Sequence, residues 1–217
     1  MVSGFLDRLK LQGALVSYIP PDVAPSIVVF QYNPDEMRRS LQARTAEDGG
    51  RGDTLQTDGP PEESISLTVE IDATDQLEHP QENPIAVNLG LHPALASLEN
   101  LMYPAYPTVM TNLSLALGGS GTILSEPAPL TLLIWGRSRI LPVKVTGLSI
   151  TEQAFDDKLN PIRATIDLTL NVLTYRDLEV NNPGYWVYLT AFSQKETLAA
   201  LNATGQGFKK IRGLLPF

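Results

Sequence analysis

The chain has no cysteine among its 217 residues. That excludes disulfides, thiolate metal sites and a cysteine nucleophile, and it fits a reducing compartment. Histidine is nearly as scarce. His79 and His92 are the only two, each stands directly before a proline, and neither their spacing nor the lack of thiolate partners matches a zinc site. Basic residues are outnumbered, 16 against 24 acidic ones, for a net charge of −8. A binder of phosphate backbones would show a basic stripe instead, and the acidity serves solubility. Long apolar runs are missing too. The longest, at 130–135, is far short of the roughly 18 residues a membrane helix needs. Residues 1–13 contain no continuous apolar segment, so no signal peptide is expected. Two catalytic signatures are also lacking. There is no GxSxG nucleophile elbow, and the glycines at 118–121 lack the lysine of a phosphate loop.

What is present is β-strand patterning, strongest at 139–175. Ile162, Ala164, Ile166, Leu168, Leu170 and Val172 alternate with Arg163, Thr165, Asp167, Thr169 and Asn171. Side chains alternate across a strand, so this segment has one apolar and one polar face. Leu141, Val143 and Val145 alternate in the preceding half. Gly147 then shifts the phase and Leu148 and Ile150 carry it on, which predicts a β-bulge at the glycine. Residues 156–161, with two aspartates, an asparagine and a proline, have turn chemistry. The whole reads as a long antiparallel hairpin.

Other elements follow in order. A helical turn is expected at 2–10, and strands at 11–19, 26–32 and 37–43. Asn33 and Pro34 form a turn or cap a short helix. Ile65, Leu67, Val69, Ile71 and Ala73 give a second clean alternation at 64–73. A helix starts at His92-Pro93, with Leu95, Leu98, Leu101 and Met102 at helical spacing, and stops before Pro104. A short buried strand spans 130–135. A last helix runs from about Asn181 to Ala203, with Tyr185, Tyr188, Leu189, Phe192, Leu198 and Leu201 as its apolar stripe. Residues 45–63 and 105–129 read as mobile loops, rich in glycine and proline at 49–61 and 118–129. The basic, apolar end at 207–217 either frays or docks on a neighbour. The division is a β domain over 1–178 and a helix with a tail over 179–217.

Few residues invite chemistry. Asp72, Asp75 and Glu78 form a carboxylate cluster, but Asp72 sits on a strand's polar face and no glycine-centred calcium loop surrounds them. Such clusters are ordinarily solvated or capping groups. Arg51-Gly52-Asp53 is a tripeptide that some adhesion ligands carry, and it arises easily by chance in a loop. Asn112 and Asn202 begin glycosylation patterns, which matter only on a secretory route. No catalytic, cofactor-binding or metal-binding residue is expected.

An ordered set of segments resembles one family. Phe30-Gln31-Tyr32-Asn33-Pro34-Asp35-Glu36 resembles the FxxNPE opening of the N-terminal tube-type domain of contractile injection system hub proteins. Arg38 to Leu41 matches the strand that follows it. Residues 60–78 are similar to the segment after that family's variable loop, 92–104 to its helix, and 129–136 with 141–175 to its last strands. The similarity spans about residues 10–190. It implies a mainly β (α+β) protein, a tail-tube-like antiparallel β-barrel or sandwich with a flanking helix. It also implies a structural role in a phage-tail-like particle: a baseplate hub or tube-initiator adaptor joining the central spike to the inner tube. The implied partners are copies of itself in a ring, six by family, with spike, inner tube and baseplate subunits. No nucleic acid, membrane insertion or cofactor is implied. The bacterial cytoplasm is the implied place of synthesis, before the protein joins a particle. Many relatives add a LysM module, for which residues 176–217 leave no evident room beside a helix and tail. Two other readings rest on residues alone: a glycan- or cell-surface-binding β-sandwich using the loops and Arg51-Gly52-Asp53, and a cell-wall hydrolase using Asp72, Asp75 and Glu78.

Overall fold

A computed structural model describes residues 13–18, 26–30, 34–44, 58–104, 106–119, 124, 129–136 and 138–203. The expected helical turn at 2–10, Asn33, Arg51-Gly52-Asp53 and the tail at 207–217 lie outside them. Seven strands form one antiparallel sheet: β1 Ala14–Tyr18, β2 Ser26–Val29, β3 Met37–Gln42, β4 Glu62–Asp72, β5 Leu130–Trp135, β6 Arg139–Phe155 and β7 Pro161–Val172. Their spatial order is β2-β1-β5-β6-β7-β4-β3. Helices are α1 Thr74–Glu78, α2 Pro84–Leu89, α3 His92–Glu99, α4 Tyr106–Leu117 and α5 Pro183–Ala203. The class is mainly β with helices. The pairings of the described strands leave the sheet open, with β2 and β3 at its two edges.

The alternating segments bury the predicted faces. In β4, Ile65, Leu67, Val69 and Ile71 are buried while Ser66, Thr68 and Glu70 are exposed. In β7, Ala164, Ile166, Leu168, Leu170 and Val172 are buried, between a half-buried Thr165 and exposed Asp167, Thr169 and Asn171. One apolar cluster contains these, Leu141, Val143 and Val145 of β6, and Leu15 and Val28 from the other end of the sheet. The sheet therefore curls around a shared core. Burying these side chains contributes about 1.5–3 kcal/mol each. On one side α3 closes the core with Leu95 and Leu98, and on another α5 adds Tyr188 and Ala191.

Three expectations are corrected. Residues 105–129 are not all loop, because α4 occupies Tyr106–Leu117. Pro107 is tolerated in a first turn, and the glycines that suggested a linker end the helix instead. Gly118 N donates to Ser114 O at 3.0 Å and Gly119 N to Ala116 O at 3.2 Å, with Gly119 at φ +74°. Residues 74–89, where no helix was expected, hold the short helices α1 and α2. Finally, the stripe on α5 divides. Tyr188 and Ala191 are buried, whereas every residue from Phe192 to Ala200 is exposed.

Candidate assembly surface

The β6–β7 hairpin gives one face to the core and continues beyond it. Its pairing runs from Val143↔Val172 to Phe155↔Pro161. The register shifts between Val145 and Gly147, so Thr146 is the extra residue of a bulge, and its hydroxyl donates to Thr169 O at 3.2 Å. A Cβ on Gly147 would lie 3.2 Å from Thr169 Cβ, which explains the glycine at this phase change. On its other side β6 pairs with β5 only from Arg139 to Val143. Residues 144–155 thus have no strand on that second side among the described residues. This open edge carries only Lys144 and Glu152 as charges, and its residues 151–155 are all exposed. An unpaired row of backbone N–H and C=O groups is a template for another chain.

The far end of the hairpin is held rigidly. Asp156 Oδ1 accepts from the backbone N–H of Lys158 and of Asn160, both at 2.8 Å. Its second oxygen accepts from the Asn160 side chain at 2.8 Å. These bonds, the Asn160 side chain's first, hold the Asp156 carboxyl below its usual range. The turn then rests on the α2–α3 junction. Leu91 N donates to Pro161 O at 2.9 Å and Asn160 Nδ2 to Asn88 O at 3.2 Å. Gly90 allows that approach: it sits at φ +54°, and a Cβ there would be 2.5 Å from Pro161 O.

The outward face of β4 and β7 is polar. Thr68, facing Asp167 across the pair, donates its hydroxyl to Asp167 Oδ1 at 2.6 Å. A shallow groove of about 710 Å3 crosses this face, lined by Asp35, Glu36, Arg38, Glu70, Asp167 and Thr169 among others.

The carboxylate candidates do not converge. Asp72 accepts from Thr74 N at 2.7 Å and from Arg163 Nε at 2.8 Å and Nη2 at 2.7 Å. Burial alone would raise its carboxyl, but the bonds from Thr74 and Arg163 outweigh it and hold the group low. A carboxylate so occupied is an anchor between β4 and β7. Asp75, Glu78, His79 and His92 are exposed. No group of three or more possible metal ligands occurs among the described residues. No helix among them is long and apolar enough to cross a membrane.

One charged site escaped the sequence reading. Glu63 is buried on the core-facing side of β4. Its Oε1 accepts from Arg39 Nε of β3 at 2.8 Å and its Oε2 from Lys195 Nζ of α5 at 2.9 Å. Burial would raise this carboxyl, but the bonds from Lys195 and Arg39 lower it overall. The signal was available: Glu63 continues the in-facing alternation Ile65, Leu67, Val69 by one step, and a carboxylate there needs cations.

No protein-family model matches the chain, and no curated protein matches it. Solved structures do align with it. A chain in the virion of a native gene transfer agent particle aligns at 11% identity and TM-score 0.26, over 74% of this chain and 90% of that one. A chain in the C6-symmetric tail of an empty gene transfer agent particle aligns at 11% identity and TM-score 0.28, over 73% and 89%. A chain in the 6-fold symmetrised baseplate of the anti-feeding prophage aligns at 13% identity and TM-score 0.23, over 76% and 91%. All three likenesses are distant.

Proposed function

We propose that this chain is a non-enzymatic structural subunit of a phage-tail-like contractile injection particle. Within it, the chain acts as the baseplate hub or tube-initiator adaptor that joins the central spike to the inner tube. The observation that carries this reading is the open edge of β6. Among the described residues, a 17-residue strand is paired on one side along most of its length and on the other only from Arg139 to Val143. A monomer gains nothing from so long an uncovered edge, whereas a ring covers it with the neighbouring subunit. An edge that meets a different surface of the next copy generates a closed ring when the rotation closes. The ordered resemblance over residues 10–190 supports the hub identity and a count of six. The curled sheet would then be the wall of a tube-like barrel, and the polar face of Thr165, Asp167, Thr169 and Asn171 would line the lumen or a subunit joint.

The test is co-assembly. The purified protein, mixed with the spike and inner-tube subunits of its own particle, should form a complex in which it bridges the two. Spike and tube subunits that associate equally well without it would sink the adaptor role.

A further inference from the structure

Helix α5 meets the sheet through few apolar side chains and through a seam of charge. Tyr188 and Ala191 belong to the buried core, and Leu189 packs against it. From Phe192 to Ala200 every residue is exposed. In that outer half Lys195 ties the helix to the sheet, its Nζ donating to Glu63 Oε2 at 2.9 Å. Glu63 also accepts from Arg39 of β3. Arg39 and Glu63 both sit on the sheet, so their bond does not need the helix.

More ion pairs flank this contact and tie the segment that leads into α5. Arg44 lies with Nε 3.3 Å from Glu62 Oε1 and with Nη2 3.9 Å from Asp177 Oδ1. Asp177 Oδ2 in turn accepts from Thr174 N at 2.8 Å, at the end of β7. Arg176 Nη2 donates to Asp58 Oδ1 at 2.7 Å. The groups around Glu63 are therefore Arg39 from β3, Lys195 and Tyr188 from α5, and Arg44, Glu62, Asp177 and Lys144, which line one cavity with it. Burial would raise the Glu63 carboxyl, but the bonds from Lys195 and Arg39 lower it overall, and the Arg176 bond holds Asp58 low. Carboxylates lowered in the fold stabilise it above their ordinary 4.5 and 3.8, and that support is lost as pH falls through the lower folded values.

We infer that α5 is an acid-sensitive strap, freed from the sheet as one unit when the carboxylates of this seam are protonated, while the seven strands stay paired. The strands do not depend on it. β7 is held between β4, from Ser64↔Asn171 to Asp72↔Arg163, and β6, from Val143↔Val172 to Phe155↔Pro161. Few buried apolar contacts mark a segment that opens before the whole. Once released, α5 does not protect its own amides. Gly184, Val187, Thr190 and Thr197 are poor helix formers, and most helical stability comes from packing. The strap goes beyond the assembly role proposed above and needs no second copy, since each of these contacts lies within one chain.

Hydrogen exchange of the full-length protein, read by mass spectrometry as protection factors, tests this. As pH is lowered stepwise from about 6 to about 3, protection of residues 185–200 should fall at least about threefold before that of Ile65–Ile71 and Ala164–Leu170 changes. Lys195→Met leaves Glu63 with Arg39 and alters an exposed helix position. It should lower α5 protection at about pH 6 by at least about threefold, leave the two strands unchanged, and shrink the further loss in acid. Loss in α5 and the strands together, in either experiment, makes the helix part of one cooperative unit and overturns the inference. So does α5 protection that persists to about pH 3, or that Lys195→Met leaves as it was.

Discussion

Gly90 and Glu63 hold single positions on which larger elements depend. Gly90 lets the hairpin turn seat on the α2–α3 junction. Gly90→Ala adds a methyl at positive φ facing Pro161 O at 2.5 Å, and it should destabilise the fold by roughly 1–3 kcal/mol. Urea unfolding measures this, and an unchanged midpoint would refute the role. Glu63 joins β3, β4 and α5 through Arg39 and Lys195. Glu63→Gln leaves two cations facing a neutral amide, and it should cost on the order of 3 kcal/mol. The pH dependence has a definite sign. The Glu63 carboxyl is lowered from its ordinary 4.5 in the fold. Its stabilisation is complete above 4.5 and is lost as pH falls through the lower folded value. The wild-type melting temperature should therefore fall steeply below about pH 4.5, and Glu63→Gln should flatten that fall. Parallel curves for the two proteins would show that Glu63 does not carry the effect.

Elements with period-two patterning were legible because one face had to be buried. β4 and the 139–175 hairpin emerged with their faces and with the Gly147 bulge, since a one-residue slip would turn every apolar side chain outward. Other elements were not legible, for reasons that lie outside the local pattern. In α4, Thr108, Val109 and Thr111 are poor helix formers and the neighbouring glycines imitate a linker. None of its residues is buried. The stripe of α5 was visible, but which part of it meets the core is a tertiary fact. The open edge of β6 was hidden for the same reason: the lengths of β5 and β6 could be read, while which strand covers which could not. The polar face at Thr165 to Asn171 was legible as a face, and its role is what assembly must decide. At this scale Gly147→Val is the informative change. The added Cβ meets Thr169 at 3.2 Å, close enough to reset the bulge and the course of the edge while the core below stays packed. Assembly should fall more than thermal stability, and equal losses of both would refute that division.

The molecule as a whole is a curled sheet with its chemistry spent on structure. Its best-connected carboxylates, Glu63 and Asp72, are tied to cations, and no metal-binding group appears among the described residues. Among the described residues, β6 has no strand beyond β5's reach on its outer side, and α4 exposes apolar side chains. The most direct measurement is electron microscopy of the purified full-length protein, paired with sedimentation across a concentration series. The account predicts closed rings of one size that form as concentration rises. A protein that remains monomeric at the highest concentration, and that fails to join spike or tube subunits, would contradict it.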